Sequence, residues 1–132
     1  MTEFDLQIVT PDGLIFDGKA QKIIVRTTEG DVGILAKHTD YVAALSIGVA
    51  RVFTAEGERR GACAGGMLSV TDGTTRIAAS TFEWSEDIDT ARAQRAKEKA
   101  EKRLSESSKS DYEYRLAEIK LKKSLARLNA SK

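Results

Sequence analysis

Apolar and polar positions alternate with the two-residue period of strands as far as Ala79, then recur at three- and four-residue spacing from Ala93 onward. Phe4, Leu6 and Ile8 alternate with Asp5, Gln7 and Val9, which describes a strand with one buried face. Thr10-Pro-Asp-Gly13 ends it, because Pro presets φ at the first central turn position, and Leu14-Ile-Phe16 restarts an extended segment. Further strand candidates are 22–28, 32–35, 48–54, 59–64, 67–71 and 75–79. They are separated by Glu29-Gly30, Glu56-Gly57, Gly65-Gly66 and Asp72-Gly73. Short strands at this spacing predict a β-sandwich or barrel of about ten strands.

The second regime is helical. Ser85 is placed to cap a helix whose first turn carries Glu86, Asp87 and Asp89, carboxylates suited to the positive end of a helix dipole. Ala93, Ala96, Ala100 and Leu104 then form one stripe. Ser105, Ser107, Ser108 and Ser110 interrupt the pattern and predict a loop over 105–111. Tyr114, Ala117, Leu121, Leu125 and Leu128 resume it on a second helix. The expected architecture is therefore α+β, with a β-sandwich over 1–84 followed by an antiparallel two-helix hairpin over 85–132. A hairpin this small buries little by itself, so it should be able to dock on the sandwich or peel away from it.

Composition agrees with that division. All ten glycines lie between Gly13 and Gly73, and neither Gly nor Pro occurs from Glu86 onward. Residues 1–85 carry 8 Lys and Arg against 11 Asp and Glu, and residues 86–132 carry 13 against 9, so net charges of −3 and +4 hide within the overall +1. The tail's excess is too mild and too mixed in sign for a nucleic-acid arm, but it suits an acidic protein surface or a phosphate-bearing ligand.

Several chemistries are disfavoured. One histidine, His38, supplies neither a metal site nor a catalytic triad, and the single Cys63 excludes an internal disulfide and reads as a buried small hydrophobe. Gly65-Gly66 is not followed by the Lys-Ser/Thr of a phosphate loop. No nucleophile, base and orienting group can be assembled, so no catalytic residue and no metal ligand is assigned and an enzyme is not expected. No apolar run is long enough to cross a bilayer, and Met1 to Asp5 lacks a signal-peptide core, so the expectation is a protein in the cytosol or peripheral on another assembly.

Phe4-Asp-Leu-Gln-Ile-Val-Thr-Pro-Asp-Gly13, Glu29-Gly-Asp-Val-Gly-Ile-Leu35 with His38-Thr39, Gly65-Gly66 before a strand, and Glu86-Asp-Ile-Asp-Thr-Ala-Arg-Ala93 occur in that order. Together they resemble the epsilon subunit family of bacterial F-type ATP synthases over essentially the whole chain. The resemblance implies a non-catalytic rotor subunit that couples proton flow to ATP synthesis. Its sandwich would bind the gamma subunit and rest on the membrane c ring, making it peripheral at the cytoplasmic face of the cell membrane. Its hairpin would extend toward the alpha/beta catalytic head and inhibit ATP hydrolysis. One departure is Asp40, where the family commonly has Pro.

Ile88-Asp-Thr-Ala-Arg-Ala93 is similar to the I/L-D-x-x-R-A pattern with which some members bind ATP, with or without Mg ion, on the folded hairpin. In that reading Asp89 accepts from the adenine amino group, Arg92 forks onto phosphate oxygens, and Glu83 contacts the base or ribose. Lys99 shares a helical face with Arg92, and Lys123 with Arg127, so four cations would surround the triphosphate. The family typically has Arg at the positions matching Lys99 and Lys123, and Lys offers a point charge in place of a fork, which implies weaker binding. Alternatives stand beside this one. The charges also fit a solvated face with Glu98–Lys102 and Glu118–Lys122 pairs, or, with Arg103 and Arg115, a surface for acidic segments of the beta subunits. From another class comes a stand-alone sandwich adaptor whose basic hairpin binds an unrelated protein.

Overall fold

The computed structural model of the chain describes residues 2–106 and 112–132. Eight strands come first: β1 (Phe4–Thr10), β2 (Gly13–Ala20), β3 (Lys22–Thr27), β4 (Gly30–Leu35), β5 (Tyr41–Ala44), β6 (Ile47–Thr54), β7 (Gly57–Thr71) and β8 (Thr74–Trp84). A 3-10 turn, Ser85–Asp87, leads to α1 (Thr90–Glu106), and α2 (Tyr112–Ala130) follows.

Three of the hairpins turn in the same way. Thr10, Thr27 and Thr54 each accept through the hydroxyl from the N–H two residues on and donate to the carbonyl of a glycine three residues on. That glycine pairs directly with the threonine, so each turn sets the register of its strand pair.

The strands follow the path β2-β1-β8-β7-β6-β3-β4, with β5 on β7; β1 pairs with β8 in parallel and the other pairings among the described residues are antiparallel. Among the described residues the count is eight rather than about ten. Gly65-Gly66 does not end a strand, because β7 continues through it while pairing with β6 up to Ala64 and with β5 from Met67. The long strands β7 and β8 thus belong to both halves of the sheet, which closes over one core.

Inward positions of β1, β3, β6, β7 and β8 supply Leu6, Ile8, Ile23, Val25, Val52, Leu68 and Ile77, all essentially solvent-free. Cys63 faces this core, and burial pushes its thiol up to about 12. Trp84 closes the end of the core against Phe16 and Phe82, edge to face with each.

The two helices form a second layer. Ala93 and Ala100 of α1 and Ala117 and Ser124 of α2 are buried, α1 packs on α2, and α2 packs on β6 and β7. A separate small cluster makes that last contact: Ala62, Ala126 and Ala130, flanked by Ile47, Val49 and Ile88. The sequence pattern is corrected in three places. Leu125 is 38% exposed, because it borders the open cleft between α2 and the sheet rather than a closed apolar contact. Ser105 is inside α1, where its hydroxyl donates to the Lys102 carbonyl; the rest of the predicted loop, 107–111, falls outside the described residues. Among the described residues no ion pair joins Glu98 to Lys102 or Glu118 to Lys122, and Glu98 accepts instead from Gln94 at 3.1 Å.

Gly66 has φ +107°, and a Cβ there would lie 2.0 Å from the Ala78 carbonyl oxygen and 2.7 Å from Ala79 Cα. Gly66→Ala is expected to destabilise the sandwich by about 3 kcal/mol or more. Gly73→Ala, at φ +81° with open space around it, should cost only about 1–2 kcal/mol; denaturant midpoints compare the two. Because its thiol is raised from 9.0 to about 12, Cys63 should alkylate at pH 8 about a thousandfold more slowly than an ordinary thiol. Mass spectrometry of iodoacetamide-treated native and unfolded protein checks this.

Candidate functional site

The chain leaves the sandwich through a pinned corner. Arg59 of β7 stacks its guanidinium over Trp84, 3.8 Å from the ring centroid, and donates to Glu86 Oε1 at 2.6 Å. That hydrogen bond holds the Glu86 carboxyl below the ordinary carboxylate range. Ser85 is not the helix cap: its hydroxyl donates to Glu86 Oε2, and its carbonyl closes the 3-10 turn by accepting from Ile88 N–H. The cap of α1 is Asp89, whose Oδ1 accepts from the Arg92 N–H at 3.0 Å and whose carbonyl accepts from the Ala93 N–H. A serine followed by carboxylates signals a helix start, but the extended backbone at Ile88 moves that start four residues on.

This entry places the predicted residues around one groove. Glu83 of β8, Asp89, Arg92 and Ala93 of the helix start, and Arg127 of α2 line a cleft of about 350 Å³. Through Ala96 and Arg127 it runs into a second of about 240 Å³ between α1 and α2, where Lys99, Arg103, Lys120 and Lys123 converge. Ile88 lies on the other side of the backbone, in the apolar contact beneath α2. Seven of the eight sequence-predicted residues therefore line the groove, and the eighth anchors the segment that shapes it.

The groove is electrostatically graded. Glu83, Asp87 and Asp89 stand at the sandwich end, and Lys99, Arg103, Lys120 and Lys123 at the interhelical end. Arg127 lies between them and donates from Nε to Glu83 Oε1 at 3.1 Å. Both partners are about two-fifths exposed, so the pair contributes at most about 1 kcal/mol. Its consequence is orientation: the remaining guanidinium N–H groups stay available to a ligand. One oxygen of Asp89 is already used in capping, which leaves the other as acceptor. Lys120 escaped sequence reasoning as a groove residue, although Lys120, Lys123 and Arg127 stand at spacings of three and four on one helix face.

Such an arrangement can hold a molecule with hydrogen-bond donors at one end and several negative charges at the other. Among the described residues there is no cluster of His, Cys, Asp and Glu fit for a metal ion, and no helix is long and apolar enough to cross a membrane.

A sandwich capped by a two-helix hairpin is the architecture of one class of rotary ATPase subunits, and sequence comparison reaches the same class. The family model of the ATP synthase delta/epsilon chain beta-sandwich domain matches residues 3–85, and that of the delta/epsilon long alpha-helix domain matches 86–132. The ATP synthase epsilon chain of Alkaliphilus oremlandii is 47% identical over 104 residues, 79% of this chain and 78% of that one. That of Syntrophomonas wolfei is 40% identical over 129 residues, 97% and 93% of the two chains. A chain in the structure of the Euglena gracilis mitochondrial ATP synthase OSCP/F1/c-ring superposes with a TM-score of 0.84 at 26% identity, covering 98% of this chain and 81% of that one. A chain of the Tetrahymena thermophila mitochondrial ATP synthase central stalk and c-ring shares the fold, with a TM-score of 0.61 at 18% identity over 99% and 98%. The chain belongs to the ATP synthase delta/epsilon family, among its epsilon chains. It is a non-catalytic subunit of an ATP synthase.

Glu83 is what the sandwich contributes to the groove, and it meets Arg127 there because α2 sits on β6 and β7. Ala130→Asp should undock the hairpin, since Ala130 is 1% exposed in this contact and an unpaired charge buried there costs about 3 kcal/mol or more. Hydrogen exchange is expected to lose protection throughout α1 and α2 while β1, β7 and β8 keep theirs.

Proposed function

We propose that this chain is a rotor subunit of the F1 central stalk whose hairpin senses ATP. Its sandwich binds the gamma subunit and rests on the c ring, so that it takes part in coupling proton flow to ATP synthesis. It is then peripheral at the cytoplasmic face of the cell membrane, held there through the ring. The hairpin alternates between the docked form and a form extended toward the alpha/beta head, in which it inhibits ATP hydrolysis.

The observation that carries the reading is the graded groove, whose acidic end joins three separate segments, β8, the start of α1 and α2, in the docked form. ATP matches its two ends. The adenine amino group donates to Glu83 or the free oxygen of Asp89, and the triphosphate meets Arg92, Lys99, Lys123 and Arg127, with or without Mg ion. A ligand bound by the docked form alone draws the population away from the inhibitory form, by as much as its affinities for the two forms differ.

Support for an extended form comes from α2 itself. Tyr112, Leu116, Ile119, Lys123, Ala126 and Ala130 recur at alternating steps of four and three, the spacing of a seam that packs along another helix. Docking covers only the alanines of this seam, and Tyr112, Leu116 and Ile119 stay exposed.

Titration of the full chain with ATP, followed by calorimetry and by hydrogen exchange of α1 and α2, tests the assignment. Saturable binding is expected to raise hairpin protection, and Arg92→Ala to weaken it by about tenfold or more, the value of one charge-assisted contact. Unchanged affinity in that variant would remove Arg92 from the site, and absence of saturable binding would remove ATP.

A further inference from the structure

Beneath α2, on the flank opposite the Arg127 groove, lies another cleft of about 420 Å³ between the helix and β3, β6 and β7. Arg26, Arg51, Arg60 and Lys122 all line it. Arg51 and Arg60 are direct cross-strand partners, and like charges set opposite each other on a sheet repel. A single carboxylate serves both. Glu58 Oε1 accepts from Arg51 Nε at 2.6 Å and stands 3.6 Å from Arg60 Nε, beyond hydrogen-bond reach. Arg60 Nε is shut off from solvent and has no hydrogen-bond partner, an expensive condition for a charged donor.

The other two cations add to the imbalance. Arg26 is paired with Asp31 at 2.7 Å and 3.4 Å and lies directly over Gly48, where a Cβ would come within 2.7 Å of Arg26 Cβ. Any larger residue at Gly48 would displace Arg26 from the cleft floor. Lys122 hangs over the cleft from α2, exposed and in no ion pair among the described residues. Four cations thus face two carboxylates, Asp31 and Glu58, and the surplus lies at the contact between helix and sheet.

We infer that this cleft is a binding site for a small tetrahedral oxyanion of the phosphate class, held between Arg51 and Arg60 on the sheet and Lys122 on the helix. The anion meets the exposed guanidinium edges of Arg51 and Arg60, whose side chains are 39% and 37% exposed, relieves the cross-strand repulsion and ties α2 to the sandwich. Since the site is complete only in the docked form, occupancy stabilises docking by mass action. The site is separate from the graded groove and stands whether or not ATP binds there.

Inorganic phosphate, added to the full chain at constant ionic strength, is the probe. The Arg60 Nε–Hε resonance should shift saturably and amide protection of α2 should rise. Lys122→Ala, at an exposed position that the fold does not need, should weaken binding by about tenfold, and Arg92→Ala should leave it unchanged. A linear, unsaturable response would overturn the inference, as would binding indifferent to Lys122→Ala. Loss of binding in Arg92→Ala would assign the phosphate to the other groove and overturn it equally.

Discussion

The position of the hairpin depends on one thin contact, the seating of Ala126 and Ala130 of α2 on Ala62 of β7. At about 0.8 kcal/mol for each buried methyl-sized group, three alanine side chains supply about 2–3 kcal/mol, with Ile47, Val49 and Ile88 adding partial burial around them. A ligand specific for the docked form, present at a hundredfold its dissociation constant, contributes about 2.7 kcal/mol. The two quantities are comparable. A leucine-rich interface would have locked the hairpin down; alanines leave its position within reach of ligand binding.

The sandwich does not share that sensitivity. Its core is a separate cluster, closed at the hairpin end by Trp84 with Phe16 and Phe82, so undocking α2 uncovers Ala62 but leaves the core sealed. Arg59 fixes the exit of the chain by stacking on Trp84 and binding Glu86. The hinge is therefore Asp87 to Asp89, just before the capped start of α1, where Ile88 is held by the same apolar contact that seats α2 and is released with it. A movable part hinged there carries Asp89, Arg92 and Arg127 away together and leaves Glu83 behind, which removes the sandwich wall of the groove and breaks the Glu83–Arg127 pair.

Period and composition were enough to locate the division between strands and helices, because Gly-bearing turns and a Gly-free helical stripe are local signals. They failed where tertiary pairing overrode local chemistry. Gly65-Gly66 reads as a turn, yet with β8 continuous beside it the pair only bends β7. β5 is four residues long, too short to show a period, and its pairing with β7 defines it. Ser85 has the chemistry of a cap, but Glu86 engages its hydroxyl and the cap passes to Asp89. Of the site, the helix-borne cations were legible from spacing. The Glu83–Arg127 pair was not, because 44 residues separate its members.

Overall charge also misleads about how the halves meet. A −3 sandwich and a +4 hairpin should attract, but the surface directly under α2 carries Arg26, Arg51 and Arg60, and the helix brings Lys122 over them. Across a few ångströms the local like charges outweigh more distant acidic residues, which solvent ions screen within about 10 Å. On its other flank α2 carries Lys120, Lys123 and Arg127 toward Lys99 and Arg103 of α1. The docking strip of alanines thus runs between Lys122 on one flank and Lys120, Lys123 and Arg127 on the other, each side facing further cations across a cleft. Apolar contact and charge therefore oppose each other over the C-terminal half of α2, and an anion between the helix and the sheet shifts the balance toward docking.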